Sequence, residues 1–415
     1  MRDSISNTSQ SQSASTRAAR SLSRLGVSSI PKGWTLSSVG DACTIRNELR
    51  LPLSVEMRAE MQGDYPYYGP TGVLDHIDEF RAEGEFALIG EDGDHFLDVG
   101  RKSQTVRVSG KFNVNNHAHM IQSGSTCDVD WFFHFFRNRD IAHSLTRQGA
   151  GRFKLTKQAL EALPILLPPL PQQRKIAEIL RAWDEALEKL TALRAAKQDW
   201  LTGVTQKLIG RGGVFPDAWD LKPLNAIATR VRRKNDGGDH PVMTISAKSG
   251  FLMQSDKFAR DMAGSSVDNY TLLHEGEFAY NKGNSLAAKY GCIYQLDRPT
   301  AVVPFVYFCF ALKSGLDANF YSHLFAAGAL NHQLSRLINS GVRNDGLLNL
   351  NVEDFFGCKV PVPPIEDQRR IGEALTTAKH ELSLLDEEIE ALTQQKRGLM
   401  QKLLTGEWPV KVEKA

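Results

Sequence analysis

Basic and amide side chains recur on turn-like stretches in two separated regions of this 415-residue chain. Arg101, Lys102, Arg107 and Lys111 fall on one strand-and-turn stretch, and Arg147, Arg152, Lys154 and Lys157 precede a Pro-Pro pair. Further on come Arg230, Arg232, Arg233 and Lys234, then Lys282 and Lys289 around a Gly-Asn-Ser turn, then Arg343 beside Asn344. Lys and Arg on loops suit phosphate oxygens, while Asn, Gln and Arg can read base edges. Taken singly, each patch also fits an ordinary solvated surface. Tyr65, Tyr67 and Tyr68 in GDYPYYGPTG add aromatic faces on a turn, which packing explains equally well.

Other chemistries find less support. Glu91, Asp92, Asp94 and His95 crowd one turn and could suggest a metal or nuclease centre. The second region has no equivalent, and Glu91-Asp92-Gly93 has the residue types of a turn. His117 and His119 alternate in NNHAHM, so both face one side of a strand, where structural or polar contacts are expected of them. The sequence holds no G-x-x-x-x-G-K-[ST], no G-x-G-x-x-G after a strand, no H-E-x-x-H and no G-x-S-x-G. Its five cysteines include no C-x-x-C and are expected to be reduced and mostly buried.

The charge balance, 50 basic against 48 acidic residues for a net of +2, gives no global basic surplus, so any nucleic-acid reading rests on local features. No apolar run approaches the ~20 residues of a membrane span. The first 29 residues are rich in Ser, Gln and Thr and carry Arg17, Arg20 and Arg24 without an apolar signal core. A disordered tail is expected there, with an organelle-targeting peptide as the alternative.

The elements that must position the basic loops are duplicated. PPLPQQRKIAEIL from Pro168 and PPIEDQRRIGEAL from Pro363 align without a gap at an offset of 195, matching Gln173 to Gln368 and Ile176 to Ile371. The opening IPKGWTLSSVGDA from Ile30 resembles VFPDAWDLKPLNA from Val214, with Trp34 matched to Trp219. After each Pro-Pro pair, apolar residues alternate four and three apart. The second copy runs Ile371, Leu375, Ala378, Leu382, Leu385, Ile389, Leu392, Leu399 and Leu403, broken by Lys396. The first runs Ile176, Leu180, Trp183, Leu187, Leu190, Leu201, Val204 and Leu208, broken by Arg194 and Lys197. That period predicts a long helix with an a/d seam in each copy. Glu366 and Asp367 suit the start of the second helix, and Gly210 and Gly406 suit the stops. At 1.5 Å per residue, ~36 residues make a rod of roughly 54 Å.

Two such rods in one chain have each other as nearest partner, with a partner protein as the alternative. The fold expected is mixed α/β (α+β), two tandem variable domains joined by two long antiparallel coiled-coil helices in a pseudo-twofold dumbbell. The expected organisation is a Ser-rich tail over 1–29, a variable domain over 30–170, a spacer helix over 171–212, a second variable domain over 213–363, a second helix over 364–406 and a tail over 407–415. Inside the domains, FALIGEDG from Phe86 reads as a strand entering a Gly turn. WFFHFF from Trp131 and AVVPFVYFCF from Ala301 each read as a buried helix or strand.

The doubled Pro-Pro-hydrophobic-x-x-Gln-x-x-Ile-x-x-x-Leu boundary, the Pro-x-x-Trp openings and the Gln-Lys-Leu helix ends resemble the specificity subunits of type I restriction-modification systems, over nearly the whole chain. YPYYGPTG, FALIGEDG, NNHAHM and GEFAYNKG are similar to turns and strands of that family. Gln172 stands where Glu is common, Lys379 stands where the first copy has Asp184, and Pro304 interrupts a segment that often carries Ser-Pro.

The resemblance implies that each variable domain is a target recognition domain reading one half of a bipartite double-stranded DNA sequence. It implies that the paired helices set the spacer and dock two modification (methyltransferase) subunits, and restriction subunits through them. A cytoplasmic, non-catalytic subunit is expected, with S-adenosylmethionine, ATP and Mg on partner subunits and base flipping done by another chain. The DNA contacts expected in the first domain are Tyr67, Tyr68, Thr71, Lys102, Asn115, Asn116, His117, Arg152 and Lys154. In the second they are Lys248, Asn281, Lys282, Asn284, Ser285, Lys289, Arg343 and Asn344. The rival readings are a self-contained restriction enzyme, a coiled-coil scaffold without DNA readout, and a subunit of a related methyltransferase-only or fused system.

Overall fold

The computed structural model describes residues 19–148, 152–210, 215, 219–257, 264–283, 288–338 and 348–412. The chain divides into two units, one of residues 1–189 with 389–415 and the other of residues 190–388. Both are mixed α/β, and both use one construction at their borders.

The opening motif of each unit forms a strand that pairs with the strand just before the Pro-Pro boundary. Thr35–Ser38 runs antiparallel to Pro164–Leu167, and Asp220–Pro223 runs antiparallel to Lys359–Val362. The shared Trp packs edge-on against an aromatic ring of a following helix: Trp34 on Trp131 at 5.5 Å, Trp219 on Phe320 at 5.9 Å. The two ends of each variable segment are thereby brought together at the root of the long helix, which explains why the repeat is written at the borders.

The boundary glutamine completes that root. Gln173 Oε1 accepts from Asp128 N at 2.8 Å while its Nε2 donates to the carbonyls of Thr126 and Pro168, both at 2.8 Å. Gln368 repeats the arrangement, accepting from Asp317 N at 2.9 Å and donating to Pro363 O at 2.8 Å. Asp128 and Asp317 in turn cap Val129–Arg137 and Ala318–Ala326, each accepting a first-turn N–H. A buried amide with donors and acceptor all paired fixes the angle between the long helix and its domain.

In the first unit a six-stranded sheet has the order Thr44–Ile45, Ala118–Gln122, Ala82–Gly90, Thr105–Val114, Gln62–Gly69, Gly72–Ile77. Ala82–Gly90 is buried on both faces: Ala87 and Ile89 join the core beneath Val129–Arg137, while Phe86 and Leu88 join a second cluster with Phe112 and Met120. The alternation of two apolar sets along one strand accounts for the near-continuous run FALI. WFFHFF is helical, within Val129–Arg137.

The second unit centres on a four-stranded antiparallel sheet, Ala228–Arg230, Phe308–Leu312, Phe278–Asn281 and Cys292–Gln295. The segment AVVPFVYFCF is two strands, Thr300–Val303 and Phe308–Leu312, parted at Pro304, whose missing N–H ends the first ladder.

The long helices are Leu170–Ile209 and Ile365–Leu404. Their segments pack antiparallel within each unit. In the first unit, Ile176 and Leu180 share a core with Met400 and Leu403. In the second, Leu201 and Ile209 share one with Ile371, Leu375 and Leu382. Arg194 and Lys197, the polar breaks in the first seam, reach Asp386 at 2.9 Å and Glu381 at 2.6 Å. Gly210 and Gly406 follow the last turns at φ 101° and 74°, values that favour glycine.

Residues 19–25 are helical, where a disordered tail through residue 29 was expected. The reason is burial: Leu25 is 4% exposed in the first core, Leu22 and Val27 pack on it, and Arg139 donates to Leu25 O at 3.1 Å. Val27 N bonds Leu22 O and Gly26 N bonds Ser23 O, a Schellman close.

Candidate nucleic-acid interface

In the first unit the strand pair Ala82–Gly90 and Ala118–Gln122 ends in loops that hold Glu91, Asp92, Asn116 and His117 side by side. Glu91 is the hub. Its carboxylate accepts from Arg50 Nη1 at 2.6 Å and pairs with Lys154 Nζ at 3.1 Å. Burial opposes ionisation of Glu91, but the bonds from Arg50 and Lys154 outweigh it and hold the carboxyl below its ordinary range. Asp92 receives His117 Nδ1 at 2.9 Å, and Arg50 also donates to Asn116 O at 3.2 Å. Asn116 is exposed and His117 half-buried, so an amide and an imidazole face outward on a salt-bridged base.

His119 belongs to that base. It is 1% exposed, with Nε2 donating to Leu155 O at 2.8 Å and Nδ1 2.9 Å from Asn47 Nδ2. Burial pushes its pKa below the usual value, leaving it neutral and structural. Among the described residues no group of three or more His, Cys, Asp or Glu side chains could hold a metal ion.

Two expected contacts lie in the core instead. Tyr67 has no exposure; its hydroxyl donates to Leu51 O at 2.6 Å and accepts from Leu53 N at 3.0 Å. Asn115 is 8% exposed and its Oδ1 accepts from His117 N, shaping the turn rather than its surface. Tyr68 is half-buried against Phe112, and burial raises its pKa. Thr71 is exposed at the tip between Gln62–Gly69 and Gly72–Ile77. Lys102 is exposed and pairs with Asp98 at 3.1 Å. Arg152 lies in the strand Arg152–Lys154, opposite Gln148.

Arg107 is committed elsewhere, bridging Glu85 and Asp130 to tie the sheet to the helix above it. Arg50 is the site residue that sequence reasoning missed. It closes a short 3-10 turn that Arg46 opens, and only the fold brings it to Glu91.

In the second unit Lys248 is exposed in the turn between Met243–Ser246 and Gly250–Met253. Asn281 Nδ2 donates to Ile245 O at 3.1 Å and Tyr294 Oη donates to Ala247 O at 2.8 Å, so that turn is bound to one end of the central sheet. Asn281 Oδ1 also accepts from Gly283 N at 2.9 Å. Lys282 extends over the Phe308 ring at 5.2 Å, and Lys289 over the Tyr290 ring at 5.6 Å. The structure thus gathers Lys248, Asn281, Lys282 and Lys289 at one end. Asn284, Ser285, Arg343 and Asn344 lie outside the described residues.

Residues 31–197 match the family described as the type I restriction modification DNA specificity domain. A putative type I restriction enzyme specificity subunit of Haemophilus influenzae is 34% identical over 37% of this chain and 37% of its own length. A type I restriction enzyme specificity subunit of Methanocaldococcus jannaschii is 20% identical over 92% of this chain and 94% of its own. A solved S subunit of a type I restriction-modification system from M. genitalium has a similar fold, with a TM-score of 0.59 and 14% identity, covering 91% of this chain and 97% of that one.

Proposed function

Because the chain belongs to the family of type I restriction-modification specificity subunits, we propose that each of its variable domains reads one half of a bipartite duplex DNA target. The paired long helices set the unread spacer and dock two modification subunits, through which restriction subunits join. In this reading the chain recognises DNA and leaves the chemistry to its partners, which bind S-adenosylmethionine, ATP and Mg. The complex works in the cytoplasm, where its DNA is.

The observation that carries the reading is the repeated construction, the same glutamine-to-N-cap bonds at Gln173 and Gln368 rooting a variable domain on a long helix twice. Two domains built on one frame yet differing inside suit two independent half-site readers. Thr71, Lys102, Asn116, His117, Arg152 and Lys154 serve the first half-site. Lys248, Asn281, Lys282 and Lys289 serve the second, and Asn284, Ser285, Arg343 and Asn344, which lie outside the described residues, are proposed for it as well. Exposed lysines contact phosphates, Asn116 and His117 face bases, and Asn281 holds the turn that carries Lys248.

The test is methylation-sensitive sequencing of DNA from cells that express this chain with its modification subunit. One bipartite motif is expected, and exchanging residues 30–170 for those of a relative should change one half only. A motif in which both halves change, or no motif, would overturn the reading. A scaffold would show no salt-dependent DNA binding in the same complex.

A further inference from the structure

Within the first unit, residues 24–26, the end of the helix Val129–Arg137 and the last turns of Ile365–Leu404 line an open cavity of about 450 Å³. Its floor is apolar, including Phe135 and Met400, which are 1% and 5% exposed. Its rim carries three guanidinium groups, Arg24, Arg139 and Arg397, against one acid, Asp140, whose Oδ1 already accepts from Ala142 N at 2.9 Å.

Arg139 is the telling residue. Its Nε donates to Phe135 O and its Nη1 to Leu25 O, both at 3.1 Å, and its Cζ lies 4.1 Å from the Phe135 ring centroid. Among the described residues no carboxylate pairs with it. Burial depresses its pKa to about 10, the mark of a cation that has lost water without gaining a counter-charge. Beside it, His134 is 3% exposed, and its Nδ1 is sealed from solvent with no hydrogen-bond partner among the described residues. Binding pockets for small ligands combine an apolar lining with a few convergent polar groups at roughly 300–1,000 Å³.

We propose that this cavity binds a small amphipathic anion, an apolar body bearing one sulfonate, carboxylate or phosphate, with Arg139 and Arg397 holding the charge over the Phe135 and Met400 floor. The ligand joins the N-terminal helical segment to the end of the second long helix, and the inference stands whether or not the chain reads DNA.

The probe is 1-anilinonaphthalene-8-sulfonate, titrated into the full chain and followed by fluorescence, with 1-naphthyl phosphate as competitor. Saturable binding of one equivalent, displaced by the phosphate ester, is expected. Arg397→Glu and Arg139→Gln should each weaken it by about 10-fold or more, the loss of a charged hydrogen bond. Arg397 is exposed, so its variant should melt at the same temperature as the parent and keeps the test decisive if Arg139→Gln fails to fold. Absence of saturable binding, or equal affinity in the Arg397→Glu protein, would overturn the proposal. Displacement by random duplex DNA but not by naphthyl phosphate would also overturn it, reassigning the arginines to backbone phosphates.

Discussion

Asp184 on the first long helix receives the ammonium of Lys396, which lies buried at a seam position of the second. The same carboxylate accepts Arg137 Nη1 at 2.6 and 2.7 Å, so one acid ties both helices to the helix Val129–Arg137. Burial lowers the Lys396 pKa despite Asp184, which means that desolvation outweighs the attraction. At the matching position of the other copy stands Leu201, 5% exposed. Lys396→Leu is therefore expected to cost less than about 1 kcal/mol, because it removes a costly buried charge and leaves Arg137 paired. Asp184→Leu strands Lys396 and should cost about 2–4 kcal/mol. Urea unfolding of both variants decides it, and equal losses would show that the ion pair itself dominates.

Gln173→Ala removes three hydrogen bonds at the root of the first long helix and should destabilise by about 2–3 kcal/mol, since buried partners are left unpaired. Gln173→Glu should be worse still, because a carboxylate cannot donate to the Thr126 and Pro168 carbonyls. Thermal melting that ranks Glu above Ala would contradict this account of the motif.

The frame was legible because duplication leaves a mark that needs no structure. Trp34 and Trp219, Gln173 and Gln368, and the seam residues all hold matched places, since a strand pair, a cap and a helix interface each demand particular residue types. The recognition loops were less legible. Tyr67 and Tyr68 are adjacent and chemically alike, yet pleating turns one fully inward. Arg50 reaches Glu91 across 41 positions, a contact set by sheet order, which spacing does not encode. The helix at residues 19–25 was hidden because polar composition masked two leucines and a valine that find the core.

Tyr67 and Lys248 separate stability from recognition. Tyr67→Phe leaves Leu51 O and Leu53 N without the hydroxyl and should lower stability by about 1–3 kcal/mol, with sequence preference unchanged. Lys248→Ala, in an exposed turn, should leave the melting temperature alone and weaken binding to all duplexes alike, cutting the salt slope by about one phosphate contact. Binding measured against log salt distinguishes them. A Lys248→Ala protein with altered base preference would place that side chain on a base instead.

Acid should loosen both units through two buried imidazoles. His134 and His323 are 3% and 7% exposed, and burial lowers each pKa from 6.5 to about 4. Around His134, the Asp184 and Asp130 carboxylates raise the value and Arg137 and Lys396 lower it, but desolvation leads. For His323, Lys379 lowers it and Asp317 raises it. A folded-state pKa below the unfolded one means that the unfolded chain binds more protons between the two values. Their contribution is thus complete above about pH 6.5 and is lost as pH falls toward 4. Between pH 6.5 and 5 each histidine should remove about 1–2 kcal/mol of stability. That window lies above the range where Asp184 and Glu91 titrate, since both are held below their ordinary values. His134→Leu and His323→Gln should each flatten the loss, the glutamine keeping a polar partner for Thr376 Oγ1, which lies 2.9 Å from the His323 ring. Urea unfolding at pH 6.5 and 5 measures the slope, and a parent protein equally stable at both would refute the burial argument.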